Sequence, residues 1–229
     1  MATHVITGAG SGIGAAVARR LQERGDDIVL IARDAGRAKQ LEARYPGAGT
    51  MVADLAEPER ISKVFGMQAM PAEVDSLLHI AGIVDLGPVA ELRAKTWQQQ
   101  LNANLVSPAE LTRLFLPQLR MAKGHVLFVN SGAGLEAHAQ WGAYAASKHG
   151  LKALADSLRH EEHENGVRVT SVYPGRTASP MQAKVHSQEG KEYDASKWID
   201  PESVATTILM AIDLPRDAEV NNLTVRPGR

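Results

Sequence analysis

The chain contains no cysteine, which excludes disulfides, thiolate nucleophiles and cysteine-bound zinc. No apolar run approaches the ~18–20 residues a membrane-crossing helix needs, and none of the sequence is repetitive or of low complexity. Charge of one sign is also missing. The 25 Lys and Arg against 26 Asp and Glu leave a formal net charge of −1, which offers nothing to draw the protein to nucleic acid or an anionic membrane. A first apolar segment begins almost at residue 1, leaving no room for a cleaved signal, so a cytoplasmic protein is expected. What is present is ordinary globular material: 229 residues, 44% hydrophobic and 22% charged. That length can bury a full core.

Two patterns carry chemistry. Tyr144 and Lys148 stand four apart, thirteen residues after Ser131; on a helix they share a face, one turn apart. A cation that close favours the phenolate and typically lowers an acid's pKa by ~1–3 units. A phenol so activated can exchange a proton with a substrate oxygen. At the other end, Thr3–Thr7 reads as a strand that runs into Gly8-Ala-Gly10-Ser11-Gly12-Ile13-Gly14. A helix then begins, with Ile13, Val17 and Leu21 on one stripe. Gly25-Asp26 ends it, and 28–31 is a second apolar run. This β-turn-α-β unit of about thirty residues has the size of a mononucleotide-binding half. Its glycines let backbone approach a pyrophosphate, and its helix N-terminus offers unpaired N–H groups to the anion.

Strands are expected near 3–7, 28–32, 49–53, 75–80, 125–130, 167–173 and 222–225. Helices are expected near 13–24, 35–44, 58–66, 96–120, 143–163 and 202–212. Repeated alternation to the end implies one α/β domain over 1–229, doubly wound, with a central parallel sheet of about seven strands and helices on both faces. Ligands of such sheets bind outside the carboxyl ends of the strands.

The ordered motifs resemble those of the short-chain dehydrogenase/reductase family. The nucleotide loop of that family, T-G-x-x-x-G-x-G, is matched from Thr7 through Gly8, Gly12 and Gly14. Its adenine-contacting Asp is matched by Asp54, next to Leu55, and its structural Asn of the fourth helix by Asn104. Its Ser–Tyr–Lys set is matched by Ser131, Tyr144 and Lys148. Its Pro-Gly loop is matched by Pro174-Gly175, with Thr177 following and Ser179 where a Thr is usual. The N-N-A-G motif appears as His79-Ile80-Ala81-Gly82: the Ala-Gly half that lies near the cofactor survives, and His79 is expected to be structural. Gly8, Asp54, Ala81, Ser131 and Pro174 all follow predicted strands and fall on one sheet edge.

The resemblance implies an oxidoreductase that moves a hydride between a nicotinamide and a small carbonyl or alcohol substrate. Tyr144 would be general acid/base, Ser131 would hold the substrate oxygen, and Lys148 would also bind the nicotinamide ribose. Asn104 would hold a relay water. Cofactor contacts are expected from Gly8, Gly10, Ser11, Gly12, Ile13, Gly14, Arg33, Asp54, Leu55, Ala81, Gly82, Tyr144, Lys148, Pro174, Gly175 and Thr177. Ala32 sits where an NAD-selecting acid would stand and Arg33 can grip a 2′-phosphate, so NADP(H) is favoured over NAD(H); the adjacent Asp34 speaks for NAD. Ser131, His138, Trp141, Tyr144 and Met181 are expected at the substrate, with Leu135 and Gln140 beside them and 176–200 as a mobile covering loop. No metal is implied. Relatives pair through helices such as 96–120 and 143–163, so a homodimer or homotetramer is expected. An NAD-dependent alcohol dehydrogenase, a non-catalytic redox sensor, and an epimerase or dehydratase on the same fold remain open.

Overall fold

The computed structural model describes residues 1–228. Seven strands form one sheet, all parallel, in the order β3-β2-β1-β4-β5-β6-β7. They are β1 (Thr3–Thr7), β2 (Asp27–Ala32), β3 (Gly49–Val52), β4 (Ser76–His79), β5 (His125–Val129), β6 (Arg168–Pro174) and β7 (Asn222–Val225). The helices are α1 (Gly12–Glu23), α2 (Ala35–Arg44), α3 (Pro58–Phe65), α4 (Ala94–Leu101), α5 (Ser107–Ala122), α6 (Gly142–Glu162), α7 (Pro180–Gln188) and α8 (Pro201–Asp213). Among the described residues no helix is long and apolar enough to cross a membrane, and no group of three or more His, Asp or Glu could hold a metal ion.

Period-two alternation along the strands builds two cores. Ile6, Leu30, Leu78, Leu127 and Val172 point to one face and pack with Val17 and Leu21 of α1 and Val204 and Ile208 of α8. Val5, Leu77, Val126, Phe128 and Val169 point to the other and pack with Leu111, Phe115 and Leu119 of α5 and Leu151 and Leu158 of α6. Every residue of β5 and β6 is buried, as a strand covered on both faces requires. The reversal of strand order at β1 and β4 opens the crevice in which ligands of such sheets bind.

The structure departs from the sequence reading in two places. The expected helix 96–120 is broken by a π-helical turn, Asn102–Val106, between α4 and α5. Pro108, which lacks an N–H, is accommodated because it falls in the first turn of α5. The segment 176–200 contains α7 and a short 3-10 turn, Ala195–Lys197, where a mobile loop was expected. Ser179 caps α7 by accepting from Gln182 N at 3.2 Å, and Pro180 opens it, the usual start signals of a helix. A sparse apolar pattern hid it, since α7 buries only Gln182, Val185 and His186.

β6 also carries a buried cation. Arg168 Nη1 donates to the carbonyl of Leu214 at 2.8 Å and Nη2 to that of Ile212 at 3.0 Å, closing the C-terminus of α8. Burial holds its pKa below the ordinary arginine value. Arg168→Met would strand these carbonyls, each worth ~1–3 kcal/mol when left unmade. Urea unfolding should therefore show a loss of at least ~2 kcal/mol; a loss under ~0.5 kcal/mol, the range of ordinary surface changes, would overturn this account.

Candidate functional site

The turn from β1 into α1 has no room for side chains. Gly8 has φ +80°, and a Cβ there would lie 2.8 Å from Ala81 N; one on Gly14 would lie 2.2 Å from Gly8 O. Thr7 Oγ1 accepts from both Ile80 N and Ala81 N at 3.0 Å, so the end of β4 is tied to the same turn. Asn104 completes the frame: Oδ1 accepts from Ile83 N at 2.8 Å, while Nδ2 donates to Ile83 O and Ser147 Oγ, both at 2.9 Å. That leaves Asn104 no side-chain donor for a relay water, and it stands behind the cavity wall instead of lining it. His79 is fully buried, with Nε2 on Thr112 Oγ1 at 2.9 Å and its ring stacked on Phe128. It is a structural residue, and Thr7 and Asn104 hold the backbone around it.

Two adjoining cavities run along the carboxyl edge of the sheet. The outer one, of about 750 Å³, is lined by Gly8, Gly10, Ser11, Arg33, Asp34, Arg37, Asp54 and Leu55, among others. Asp54 accepts from Ala56 N at 2.9 Å, which fixes the turn after β3. Asp34 caps α2 by accepting from Arg37 N at 2.8 Å and pairs with the exposed Arg33 at 3.3 Å. The Arg37 guanidinium lies across Gly10, where a Cβ would meet its Nη2 at 1.8 Å.

The inner cavity, of about 740 Å³, collects Ser11 to Gly14, Ala81, Gly82, Ser131, His138, Trp141, Tyr144, Lys148, Pro174, Gly175, Thr177 and Met181. The expected Leu135 and Gln140 do not line it; Leu135 turns to solvent and Gln140 takes a left-handed φ of 70°. Ser131 is positioned by Asn130, whose Oδ1 accepts from Ser131 N at 2.9 Å and whose Nδ2 donates to the Lys148 carbonyl at 3.1 Å. One buried amide thus locks the serine loop onto α6. Nothing in the local pattern signals this beyond Asn130 preceding the serine.

Tyr144 and Lys148 project from α6 into the cavity floor, both buried. The electrostatics differ from those expected of the spacing alone. Burial pushes the Tyr144 phenol up, and the effect working against it is the neighbouring Ser131 hydroxyl, not the lysine. Burial lowers Lys148 to about 8. Its Nζ donates to Val129 O at 2.9 Å and lies 5.8 Å from the centre of the tyrosine ring. Desolvation outweighs the attraction that helical spacing alone suggests.

The covering segment is also more ordered than its composition implied. Arg176 makes a two-pronged ion pair with Glu189, at 2.9 and 2.6 Å, and sits 5.9 and 5.5 Å from the ring centres of Trp141 and Trp198. Lys184 and Gln188 of α7 both donate to Asp85 Oδ1, at 2.5 and 3.2 Å. Sequence reasoning passed over Asn130, Glu189 and Arg226 altogether and placed Arg176 only in a loop. The side chains of Arg176, Glu189 and Arg226 all line the inner cavity.

A family model described as short chain dehydrogenase matches residues 2–190. The chain belongs to that family. Among its relatives is an uncharacterised oxidoreductase of Staphylococcus saprophyticus, 28% identical over 97% of this chain and 96% of the relative. Dehydrogenase/reductase SDR family member 11 of Bos taurus is also 28% identical, over 97% of this chain and 94% of the relative. A metagenomic short-chain oxidoreductase solved in complex with NADP superposes with a TM-score of 0.80 at 30% identity, covering 100% of this chain and 97% of the other. The chain is an oxidoreductase of the short-chain dehydrogenase/reductase type, and its Rossmann-type sheet matches that assignment.

Proposed function

We propose that the protein reduces a small carbonyl compound to the alcohol, and runs the reverse reaction, with NADP(H) as its hydride partner. The observation that carries the cofactor choice is the end of β2. Ala32 offers no carboxylate, Asp34 is engaged as a helix cap, and Arg33 and Arg37 both line the outer cavity. Two guanidinium groups there suit a 2′-phosphate. The side-chain-free turn at Gly8 and Gly14, set against the N-terminus of α1, suits the pyrophosphate.

When bound, the nicotinamide supplies or accepts the hydride. The chain's own residues do the rest. Tyr144, kept protonated by burial, gives its proton to the carbonyl oxygen as charge grows on it. Ser131 donates a hydrogen bond to the same oxygen; a lost donor of that kind often costs ~2.7–4 kcal/mol of transition-state stabilisation. Lys148, buried near Tyr144 and bonded to Val129 O, would hold the ribose hydroxyls and return a proton to the tyrosine. A pure sensor would have no use for a phenol and an ammonium both buried in one cavity floor.

Titration with NADPH and NADH, followed by tryptophan quenching, tests the cofactor choice. NADPH should bind at least ~10-fold more tightly, a difference of ~1.4 kcal/mol. Arg37→Ala with Arg33→Ala should remove that preference by weakening NADPH while leaving NADH unchanged. Tighter binding of NADH by the unaltered protein would reject this reading and favour an NAD-dependent alcohol dehydrogenase.

A further inference from the structure

Within the carbonyl–alcohol reading above, we infer that the substrate carries a carboxylate close to its reacting carbon and that Arg226 receives it. The inference starts from the charges around the inner cavity. Arg176 is neutralised by its two-pronged pair with Glu189, and Lys148, anchored on Val129 O, is committed in that reading to the ribose and to Tyr144. Arg226 is different. Its recorded partner is the Tyr173 carbonyl, 3.0 Å from Nη1, and among the described residues no carboxylate pairs with it. A guanidinium has five N–H donors, so four remain.

The position of Arg226 is built. Gly175 N donates to Val225 O at 2.7 Å, which pins the end of β7 against the Pro174-Gly175 turn. A Cβ on Gly175 would stand 3.0 Å from Pro227 Cδ, so residues 225–227 pack directly on that turn. From there both terminal nitrogens of Arg226 face Gly132, at 3.4 and 3.6 Å from where a Cβ would begin. Gly132 has no side chain to obstruct the fork, and it directly follows Ser131. An anion gripped there lies beside Gly132, the residue after the serine whose hydroxyl holds the substrate oxygen in that reading.

The same wall decides which anion. With Glu189 already taken up by Arg176, Glu136 also lines the cavity, and one acid beside one unmatched cation opposes a doubly charged phosphate. A monoanionic carboxylate, planar and matched to the guanidinium fork, meets no such penalty. The substrate class is therefore short oxo acids and the corresponding hydroxy acids, with few bonds between the two groups.

The test sets two- to five-carbon 2- and 3-oxo acids against their methyl esters with NADPH, alongside equilibrium binding of propionate and propionamide to the cofactor-loaded protein, read from tryptophan fluorescence. The acids should be favoured at least ~10-fold in kcat/KM. Arg226→Gln should raise KM for the acids by that factor and leave kcat, the esters and the cofactor KM unchanged; Arg226→Lys should restore part of the loss. Equal loss for acids and esters, a raised cofactor KM, or esters preferred by the unaltered protein would each overturn the inference. Saturable propionate binding that is lost in Arg226→Gln, with no turnover of any carbonyl, would uphold the anion site and reject the reductase reading. Absence of propionate binding would reject the anion site whatever the turnover.

Discussion

Tyr144→Phe should lower kcat by ~10²–10⁴-fold, the usual worth of a positioned general acid, while NADPH still binds. The substitution removes one oxygen from a buried ring, so fold and cavity shape are retained. What disappears is the proton that must reach the substrate oxygen as the hydride arrives at carbon. Steady-state turnover and a parallel cofactor titration separate the two effects. Turnover close to that of the unaltered protein would reject Tyr144 as the acid.

The state of that proton also bears on direction. Burial raises the phenol and lowers Lys148 to about 8, so the pair rests at neutral pH as a neutral phenol above a lysine that gives up its proton more readily than usual. A neutral phenol is charged for donation, which suits reduction. Alcohol oxidation needs the phenolate, and burial opposes it until positive charge enters the cavity. The spacing of Tyr144 and Lys148 announced the partnership, but the sign of its electrostatics depended on desolvation, which spacing does not encode.

That contrast runs through the molecule. Strand positions were legible because period-two alternation and flanking glycines are local: Val5 and Ile6, or Leu77 and Leu78, face opposite cores as neighbours in the chain. Tyr144, Lys148, Ser131 and the glycine turn were legible because their chemistry demands those residue types at short, fixed separations. What escaped is held by long-range contacts. Helix α7 buries little of its own surface and is held by Arg176–Glu189 and Lys184–Asp85. Arg226 enters the cavity only because β7 lands beside β6 and its end is pinned at Gly175. Neither pairing leaves a periodic trace in the sequence.

Long-range burial also makes the fold sensitive to acid, and the buried histidines set where. His79 and His125 are each about 2% exposed, and burial lowers each to about 3. Both use Nε2 on a threonine hydroxyl, Thr112 and Thr170, and leave Nδ1 without a partner. Protonation would put a charge in the core and an N–H on Nδ1 with no acceptor; at His125 the nearby Arg168 and Arg216 oppose it further. The folded values lie below the ordinary ~6.5 of an unfolded histidine, so the unfolded chain binds these protons first. The stabilisation is whole above ~6.5 and falls as pH drops from there towards 3, by about 1.4 kcal/mol per pH unit for each residue. At pH 5 the two together should cost about 4 kcal/mol relative to neutrality, a large share of the ~5–15 kcal/mol typical of a domain. The carboxylates held low by their partners, Asp26, Asp156, Glu162 and Glu189, lie below their ordinary 3.8 and 4.5 and lose most of their contribution below pH 5, and Lys148, at about 8, titrates above the histidine range. Burial also lowers His4, which adds to the slope, so urea unfolding at pH 7, 6 and 5 should show a histidine slope that His79→Gln with His125→Gln reduces but does not abolish, even if that variant is less stable at pH 7. An undiminished slope in the double variant would mean that these two imidazoles are not the groups taking up the protons.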